Sequence, residues 1–138
     1  MSETKSQELG KLGEDIAVNF LLKNGYTIIG RNLHFSHNEL DIVAEDNDYI
    51  VFVEVKTRSY SSYEETQFGV PGKAVDTKKR GNTIKATYSY LSKNYTKKQP
   101  RLDVIEVYLK ETQSRFSKPE LLRINHIRDA FDARGRMH

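Results

Sequence analysis

The chain contains no cysteine among its 138 residues. Disulfide bridges and thiolate metal sites are therefore excluded, and any metal ion must be bound by carboxylate, imidazole or backbone oxygen. No apolar run approaches the length of a membrane-spanning helix, and the first residues lack the hydrophobic core of a signal peptide. These absences lead us to expect a cytoplasmic protein that does not associate with membranes.

Charged residues make up 30% of the chain and hydrophobic residues 37%, which is typical of a globular protein with a polar surface. The formal net charge of +3 permits a nucleic-acid partner without requiring one. The chain is long enough to bury a core, and its sequence has no internal repeat. We predict a single domain over residues 1–138, with a core at about 6–131 and a tail at 132–138.

Hydrophobic periodicity predicts the element order α-βββ-α-ββ-α. Helical spacing marks the first, fifth and last of these segments, and alternation marks most of the others. The predicted segments are residues 6–24, 26–31, the two strands of 38–58, 75–93, 101–109, 121–124 and 126–131. This order predicts a mixed α/β fold with one central five-stranded sheet and flanking helices.

Two runs rich in valine and isoleucine flank an Asp/Asn cluster, which predicts a β-hairpin over residues 38–58. A two-residue turn at Asn47 and Asp48 pairs residues whose numbers sum to 95, so that Ile42 faces Val53. A three-residue loop would mix the apolar and polar faces, so we adopt the even register.

This register places charged side chains opposite one another. Asp41 faces Glu54, with their Cβ atoms roughly 5 Å apart. Two carboxylates so placed repel, and a divalent cation would relieve the repulsion because hard cations prefer oxygen ligands. Lys56 follows Glu54 by two residues and projects onto the same face. Glu39 would face Lys56, which we interpret as an ordinary cross-strand salt bridge.

The first predicted helix carries Gly13 in the middle of its apolar stripe. Because glycine costs about 1 kcal/mol relative to alanine in a helix, this position suggests close approach to a neighbouring element. Glu14 lies at the edge of the stripe, about 120° from its centre. Its position favours a solvated residue over a carboxylate directed at the hairpin.

Candidate nucleic-acid contacts lie after the hairpin. Tyr60 and Tyr63, between Arg58 and Lys73, suit stacking on unpaired bases, but a loop with incidental tyrosines fits the pattern equally. The predicted second helix has a basic N-terminal half, which opposes the helix dipole and suits a polyanion, although a solvated basic face is the commoner explanation. Its basic residues are Lys78, Lys79, Arg80 and Lys85.

Several motifs together resemble the YraN-like family of uncharacterised bacterial proteins. They are KLGE at 11–14, GY at 25–26, RN at 31–32, NELD at 38–41, FVEVKTR at 52–58 and RLD at 101–103. The resemblance extends over about residues 9–131. That family is similar to the archaeal Holliday-junction resolvases and to the restriction-endonuclease-like superfamily, which implies the restriction-endonuclease-like fold here.

The superfamily motif is an acidic residue on one strand and Asp/Glu-x-Lys on the next, and it matches Asp41, Glu54 and Lys56. The resemblance implies that Asp41, Glu54 and the Val55 carbonyl bind Mg²⁺ or Mn²⁺. A glutamate on the first helix of the resolvases joins the metal-binding group, and Glu14 matches it. Lys56 would then orient the attacking water or stabilise charge on the phosphate.

The resemblance therefore implies an endonuclease that acts on DNA, with branched DNA as one candidate substrate and RNA left open. Because junction resolvases act as symmetric dimers, we expect a homodimer. In this interpretation Lys78 and Lys79 contact the DNA backbone. Two alternatives stay open: a nucleic-acid-binding protein that does not cut, and a structural partner in DNA processing whose charged hairpin face is only solvated.

Overall fold

The computed structural model describes residues 4–60, 77–110 and 118–132. Within these ranges the chain forms an α/β fold with one mixed five-stranded sheet, which confirms the predicted class and the order α-βββ-α-ββ. The elements are α1 (Lys5–Lys23), β1 (Thr27–Phe35), β2 (Asn38–Glu45), β3 (Tyr49–Tyr60), α2 (Thr77–Lys93), β4 (Gln99–Lys110) and β5 (Glu120–Ile127). Neither described helix is long and apolar enough to cross a membrane.

The strands lie in the sheet in chain order, β1-β2-β3-β4-β5. Only β3 and β4 run parallel, and α2 belongs to the long connection that such a pair requires. Each face of the sheet packs against one helix. Ala17 and Leu21 of α1 join the apolar cluster on one face, and Ala86 and Tyr90 of α2 join the cluster on the other.

Local sequence signals explain where α1 begins and ends. Thr4 and Gln7 form a capping box, in which each side chain bonds the other's backbone N–H over 3.0–3.1 Å. The helix ends before Gly25, whose φ of 88° favours glycine. Gly13 is buried, and a Cβ built there would overlap the Thr57 hydroxyl of β3. The predicted close approach at Gly13 is therefore confirmed.

The helical turn predicted at residues 126–131 is wrong. Asn125 and His126 continue β5 and pair with β4, and the chain then turns at Asp129, whose φ is 51°. The backbone N–H of Asp129 donates to the buried Asp103 carboxylate over 2.9 Å. This tertiary bond and the strand pairing outweigh the weak helical periodicity of the segment.

Two predicted boundaries also move. β1 extends through Phe35, beyond the predicted end of the strand, because residues 33–35 pair with β2. β3 extends through Tyr60 because it pairs with β4 along its whole length. The loop that we expected between Arg58 and Lys73 therefore begins inside a strand, and most of it lies outside the described residues.

Candidate active site

The site begins where β2 changes the face toward which its side chains point. Leu40 packs on the α2 side of the sheet, whereas Ile42 packs on the α1 side. Regular alternation would place both on one face, so β2 is irregular at Asp41. Asn32 of β1, which the register sets opposite Asp41, has a φ of 49°. The two neighbouring strands β1 and β2 therefore both deviate at the same point.

This irregularity ends the hairpin ladder. The pairing of β2 with β3 follows the predicted register as far as Ile42 and Val53. Beyond that pair, Oδ2 of Asp41 accepts a hydrogen bond from the Val55 backbone N–H over 2.9 Å. The predicted pairing of Asp41 directly opposite Glu54 is therefore wrong, because the strands separate and a side chain replaces the backbone partner.

The separation also frees a backbone oxygen. The N–H and C=O groups of one strand residue point to the same neighbouring strand. Because the Val55 N–H is directed at Asp41, the Val55 carbonyl is directed toward β2 past the end of the ladder. Asp41 and Glu54 therefore line one cavity at this strand end, and the Val55 backbone contacts Asp41.

Glu54 lies on the α2 side of this point, with only 3% of its side chain exposed. Its Oε1 is 2.5 Å from the Lys79 ammonium, and the Thr83 hydroxyl donates to Oε2 over 3.3 Å. Burial raises the pKa of Glu54 to about 7, and the charge of Asp41 adds to this effect, while Lys79 opposes it. Burial therefore disfavours the charged form of this glutamate, and Lys79 offsets part of that effect.

Asp41 and Glu14 are perturbed in the same direction. Burial raises the pKa of Asp41 against the opposing Val55 hydrogen bond and the Lys79 charge. Burial, followed by the charge of Asp41, raises the pKa of Glu14. The buried Oε1 of Glu14 accepts no hydrogen bond from the described residues. Three carboxyl groups therefore lie in surroundings that disfavour their negative charge, as catalytic and metal-binding groups often do.

Glu14 is held from β1. The side chain of Asn32 hydrogen-bonds it, and a guanidinium nitrogen of Arg31 lies 3.9 Å from its Oε1. The same nitrogen bonds Asp15 over 2.7 Å. The two residues of the RN motif therefore orient the glutamate of the KLGE motif, although Glu14 looked like a solvated residue from its helical position alone.

An open groove of about 720 Å³ lies between the N-terminal half of α1 and the end of β3. Glu14, Asp41 and Lys56 line it together. The other lining residues are Lys5, Ser6, Leu9, Gly10, Glu39, Val55, Thr57, Arg58, Ser59 and Lys79. Glu54 lies in an adjoining cavity of about 110 Å³, which Asp41 and Lys79 also line. These two side chains therefore separate the groove from the buried glutamate.

Glu39 does not form the cross-strand salt bridge with Lys56 that we expected. It lies opposite His34 of β1, and their side chains are 3.6 Å apart. The prediction is wrong because this end of β2 pairs with β1 after β3 has separated from it. Both side chains are largely exposed.

The site suits a hard divalent ion, with one condition. Its donors are carboxylate and carbonyl oxygens, which Mg²⁺ and Mn²⁺ prefer. Among the described residues, however, no three His, Asp or Glu side chains are close enough to hold an ion together. The Lys79 ammonium contacts Glu54 where an ion would bind. Asp41, Glu54 and the Val55 carbonyl therefore fit an ion if Lys79 moves.

The sequence of the chain can be compared with those of known proteins. The model of the uncharacterised protein family UPF0102 matches residues 13–107, from α1 into β4. The chain belongs to this family. A UPF0102 protein of Caldanaerobacter subterraneus subsp. tengcongensis is 39% identical over 132 residues, which cover 95% of this chain and 100% of the relative. One of Clostridioides difficile is 42% identical over 127 residues, which cover 91% and 98%.

Membership confirms the resemblance to the YraN-like proteins, and the fold is consistent with the restriction-endonuclease-like superfamily. A further UPF0102 protein, of Syntrophomonas wolfei, is 41% identical over 132 residues, covering 91% of this chain and 99% of the relative. Because the family is uncharacterised, these likenesses establish kinship and leave the activity to be argued from the site.

The predicted nucleic-acid contacts of this UPF0102 chain are spread over several surfaces and stay predictions. Arg58 lines the groove, and Tyr60 packs against Tyr108 with 5.4 Å between ring centroids. On α2, Lys78 and Lys85 are exposed and Arg80 is half-buried, whereas Lys79 contacts Glu54. Tyr63 and Lys73 lie outside the described residues.

Sequence reasoning missed the partners of Glu54. Lys79 and Thr83 are one helical turn apart, so they share a face of α2 and reach the same carboxylate. Their spacing was readable from the sequence. That this face covers Glu54 follows only from the way α2 crosses the sheet.

Proposed function

We propose that the protein is a metal-dependent endonuclease that hydrolyses phosphodiester bonds in DNA. The observation that carries the proposal is the placement of two buried carboxylates, Asp41 and Glu54, where β2 and β3 separate beside an open groove. Glu14 and Lys56 line the same groove. A lysine and three carboxyl groups around one strand end form a set suited to phosphoryl chemistry.

In this proposal Asp41, Glu54 and the Val55 carbonyl would hold Mg²⁺ or Mn²⁺, and Glu14 would bind or orient one of the ion's ligands. When bound, the ion would polarise the phosphate and lower the pKa of the attacking water. The protein also has to keep two carboxylates ionised in a buried site. Burial raises the pKa of both carboxyl groups, so a bound dication would stabilise their ionised forms.

The remaining work falls to positive side chains of the groove. Lys56 is close enough to Asp41 for its charge to lower the pKa of that carboxyl. In the proposed reaction its ammonium orients the attacking water or stabilises negative charge that grows on the phosphate. Arg58, two residues further along β3, lines the same groove and would hold the neighbouring phosphate through its planar guanidinium.

The shape of the groove favours a polymeric substrate. It is open to solvent along the N-terminal half of α1, and Lys5, Lys56 and Arg58 line it with positive charge. A nucleic-acid strand carries regularly spaced phosphates, and a row of basic side chains recognises them without reading sequence. The groove therefore supports a backbone-binding mode, in agreement with the modest positive charge of the whole chain.

The test is cleavage of linear and branched DNA by purified protein with Mg²⁺ or Mn²⁺. We expect Asp41→Asn and Glu54→Gln each to reduce the cleavage rate at least about 100-fold, since even indirect support of a metal ligand is worth 10–100-fold. Glu45→Gln is the matched control, because Glu45 lies on β2 away from the groove and pairs with Lys98. Equal rates in all four proteins would refute these roles.

A second candidate function is binding of nucleic acid without cutting. One observation favours it: the Lys79 ammonium already pairs with Glu54, so that carboxylate has a counter-charge without an ion. Calorimetry separates the two candidates. Failure to bind Mn²⁺ at millimolar concentration, together with salt-dependent DNA binding, would support the non-cutting protein, whereas Mn²⁺ binding that Asp41→Asn abolishes would support the nuclease.

A further inference from the structure

Lys79 links the buried glutamate to the groove. Its ammonium is 2.5 Å from Oε1 of Glu54, yet 45% of the lysine side chain is exposed while only 3% of the glutamate side chain is. Lys79 also lines both the groove and the adjoining cavity. One end of this residue therefore reaches the carboxylate, and its stem lies along the route by which an ion would arrive.

The ammonium of Lys79 experiences the charges of three acidic residues. Burial disfavours its protonated form, but Glu54, Asp41 and Glu39 outweigh burial and raise the pKa of Lys79, with Glu54 contributing most of the three. A dication held by Asp41 and Glu54 would lie within the same field. A positive ammonium and a dication a few ångströms apart repel strongly in a site with little water, so the two do not occupy it together.

The structure also gives Lys79 the freedom to leave. Lysine has a long flexible stem and a compact charge, and this stem is partly exposed near the start of α2. The Thr83 hydroxyl stays near Glu54 when Lys79 departs: it lies 3.3 Å from the other carboxylate oxygen and shares its proton with the Lys79 backbone carbonyl at 3.1 Å. Removal of the ammonium therefore exposes one carboxylate oxygen in the cavity that Asp41 also lines.

We propose that Lys79 is an exchangeable counter-ion, which holds Glu54 until a divalent ion binds and then turns into the groove to contact a substrate phosphate. This inference rests on the proposed nuclease function. It assigns two states to one residue: a positioning role toward Glu54 without metal, and a direct contact with substrate when the ion is present. It also predicts that the ion and the substrate each strengthen the binding of the other. The ion displaces Lys79 from Glu54, and the substrate phosphate holds the displaced ammonium.

The first test measures Mn²⁺ affinity by calorimetry at pH 8 for the wild type, Lys79→Met and Lys79→Arg. We expect Lys79→Met to bind Mn²⁺ at least about tenfold more tightly, which is about 1.4 kcal/mol, because the competing charge is gone. Lys79→Arg keeps the charge and should bind like the wild type. Lys93→Met is the matched control, since Lys93 lies in the last turn of the same helix with its ammonium over the Phe35 ring.

The second test uses the unaltered protein and so does not depend on the folding of a variant. Lysine acetylation by a small reagent is followed by mass spectrometry with and without saturating Mn²⁺. We expect the acetylation rate of Lys79 to rise at least severalfold with Mn²⁺, because the ammonium leaves its carboxylate partner, while that of Lys93 stays constant. A Lys79 rate that is unchanged or reduced would overturn the proposal.

Cleavage at saturating Mn²⁺ tests the second state. Lys79→Met should cut DNA at least about tenfold more slowly in spite of its tighter ion binding, since one phosphate contact is lost. Weaker or equal Mn²⁺ binding by Lys79→Met, with normal binding and cleavage in the wild type, would overturn this inference and leave the nuclease intact. A wild type that binds no Mn²⁺ would instead refute both.

Discussion

At the scale of single residues, the site is distinguished by acidic side chains whose charged forms are disfavoured by burial. Glu54 is buried beside Asp41, and its pKa is raised to about 7. Asp103 is fully buried too, but hydrogen bonds from His126 and Arg101 outweigh burial and lower its pKa. Without an ion, the protein does not fully offset the cost of burying the Glu54 charge, whereas hydrogen bonds fully offset the cost of burying the Asp103 charge. This contrast separates a candidate functional acid from a structural one.

The raised pKa of Glu54 gives a pH dependence of known sign. The folded protein binds a proton at Glu54 more tightly than the unfolded chain does, so this stabilisation is fully present below about pH 4.5 and is lost as pH rises through about 7. Glu54→Gln removes the effect. Without metal, we expect the unfolding free energy of Glu54→Gln relative to wild type to increase by up to about 3 kcal/mol between pH 4.5 and 8.5.

Urea denaturation in the presence of a chelator measures this difference at each pH. The comparison with wild type cancels the contributions of titrating groups that do not interact with Glu54. Glu45→Gln, at the other end of β2, should show a constant difference over the same range. A constant difference for Glu54→Gln would show that Glu54 has an ordinary pKa in the folded protein.

The two buried aspartates predict opposite responses to the loss of charge. Asp103→Asn breaks a network with Arg101, His126 and the Asp129 backbone, and we expect it to destabilise the protein by about 3–5 kcal/mol. Asp41→Asn should leave the metal-free protein as stable as wild type or more so, because burial disfavours the charge that is removed. Thermal or urea unfolding measures both, and a larger loss for Asp41→Asn would contradict this distinction.

At the scale of elements, α1 is positioned by the absence of a side chain. Gly13 lies against Thr57, where no Cβ fits, whereas nothing lies within 4 Å of a Cβ built on Gly10. We expect Gly13→Ala to destabilise the protein by about 1–3 kcal/mol and to move Glu14 away from Asp41. Gly10→Ala, in the same helix, should be neutral or stabilising by up to about 1 kcal/mol. Similar unfolding free energies for the two variants would contradict close packing at Gly13.

Elements also show how far the sequence reaches. The helical stripe, the role of Gly13 and the hairpin register near the turn were predictable because each depends on neighbours in the chain or on a simple period. The change of face at Asp41 was not, and it coincides with a left-handed conformation of Asn32 on the neighbouring strand, which no local period encodes. The extension of β5 through Ile127 depends on its pairing with β4, which local periodicity does not encode.

The candidate site divides in the same way. Asp41, Glu54 and Lys56 were recognisable from their pattern, and Glu14 only through the family resemblance. The contact of Lys79 with Glu54 could not be predicted, because it depends on where α2 crosses the sheet. The basic run at the start of α2 therefore contains exposed cations, such as Lys78, and also Lys79, which pairs with the buried Glu54.

At the scale of the whole molecule, the hydrogen-bond network that stabilises the fold and the residues of the candidate site lie at different places on the five-stranded sheet. The Asp103 network ties β4, β5 and the chain after β5 at one end. The carboxylates collect where β2 leaves β3, beside the groove. The apolar clusters on the two faces hold both helices against the sheet, so that Glu14 of α1 and Lys79 of α2 line the same groove as Asp41.

The most direct test of this account is a crystal structure of the protein grown with Mn²⁺, examined for anomalous scattering. We predict one strong anomalous peak between the carboxylates of Asp41 and Glu54, near the Val55 carbonyl, with the Lys79 ammonium moved away from Glu54. Absence of a peak at saturating Mn²⁺, with Lys79 still paired to Glu54, would contradict the metal centre and the nuclease function built on it.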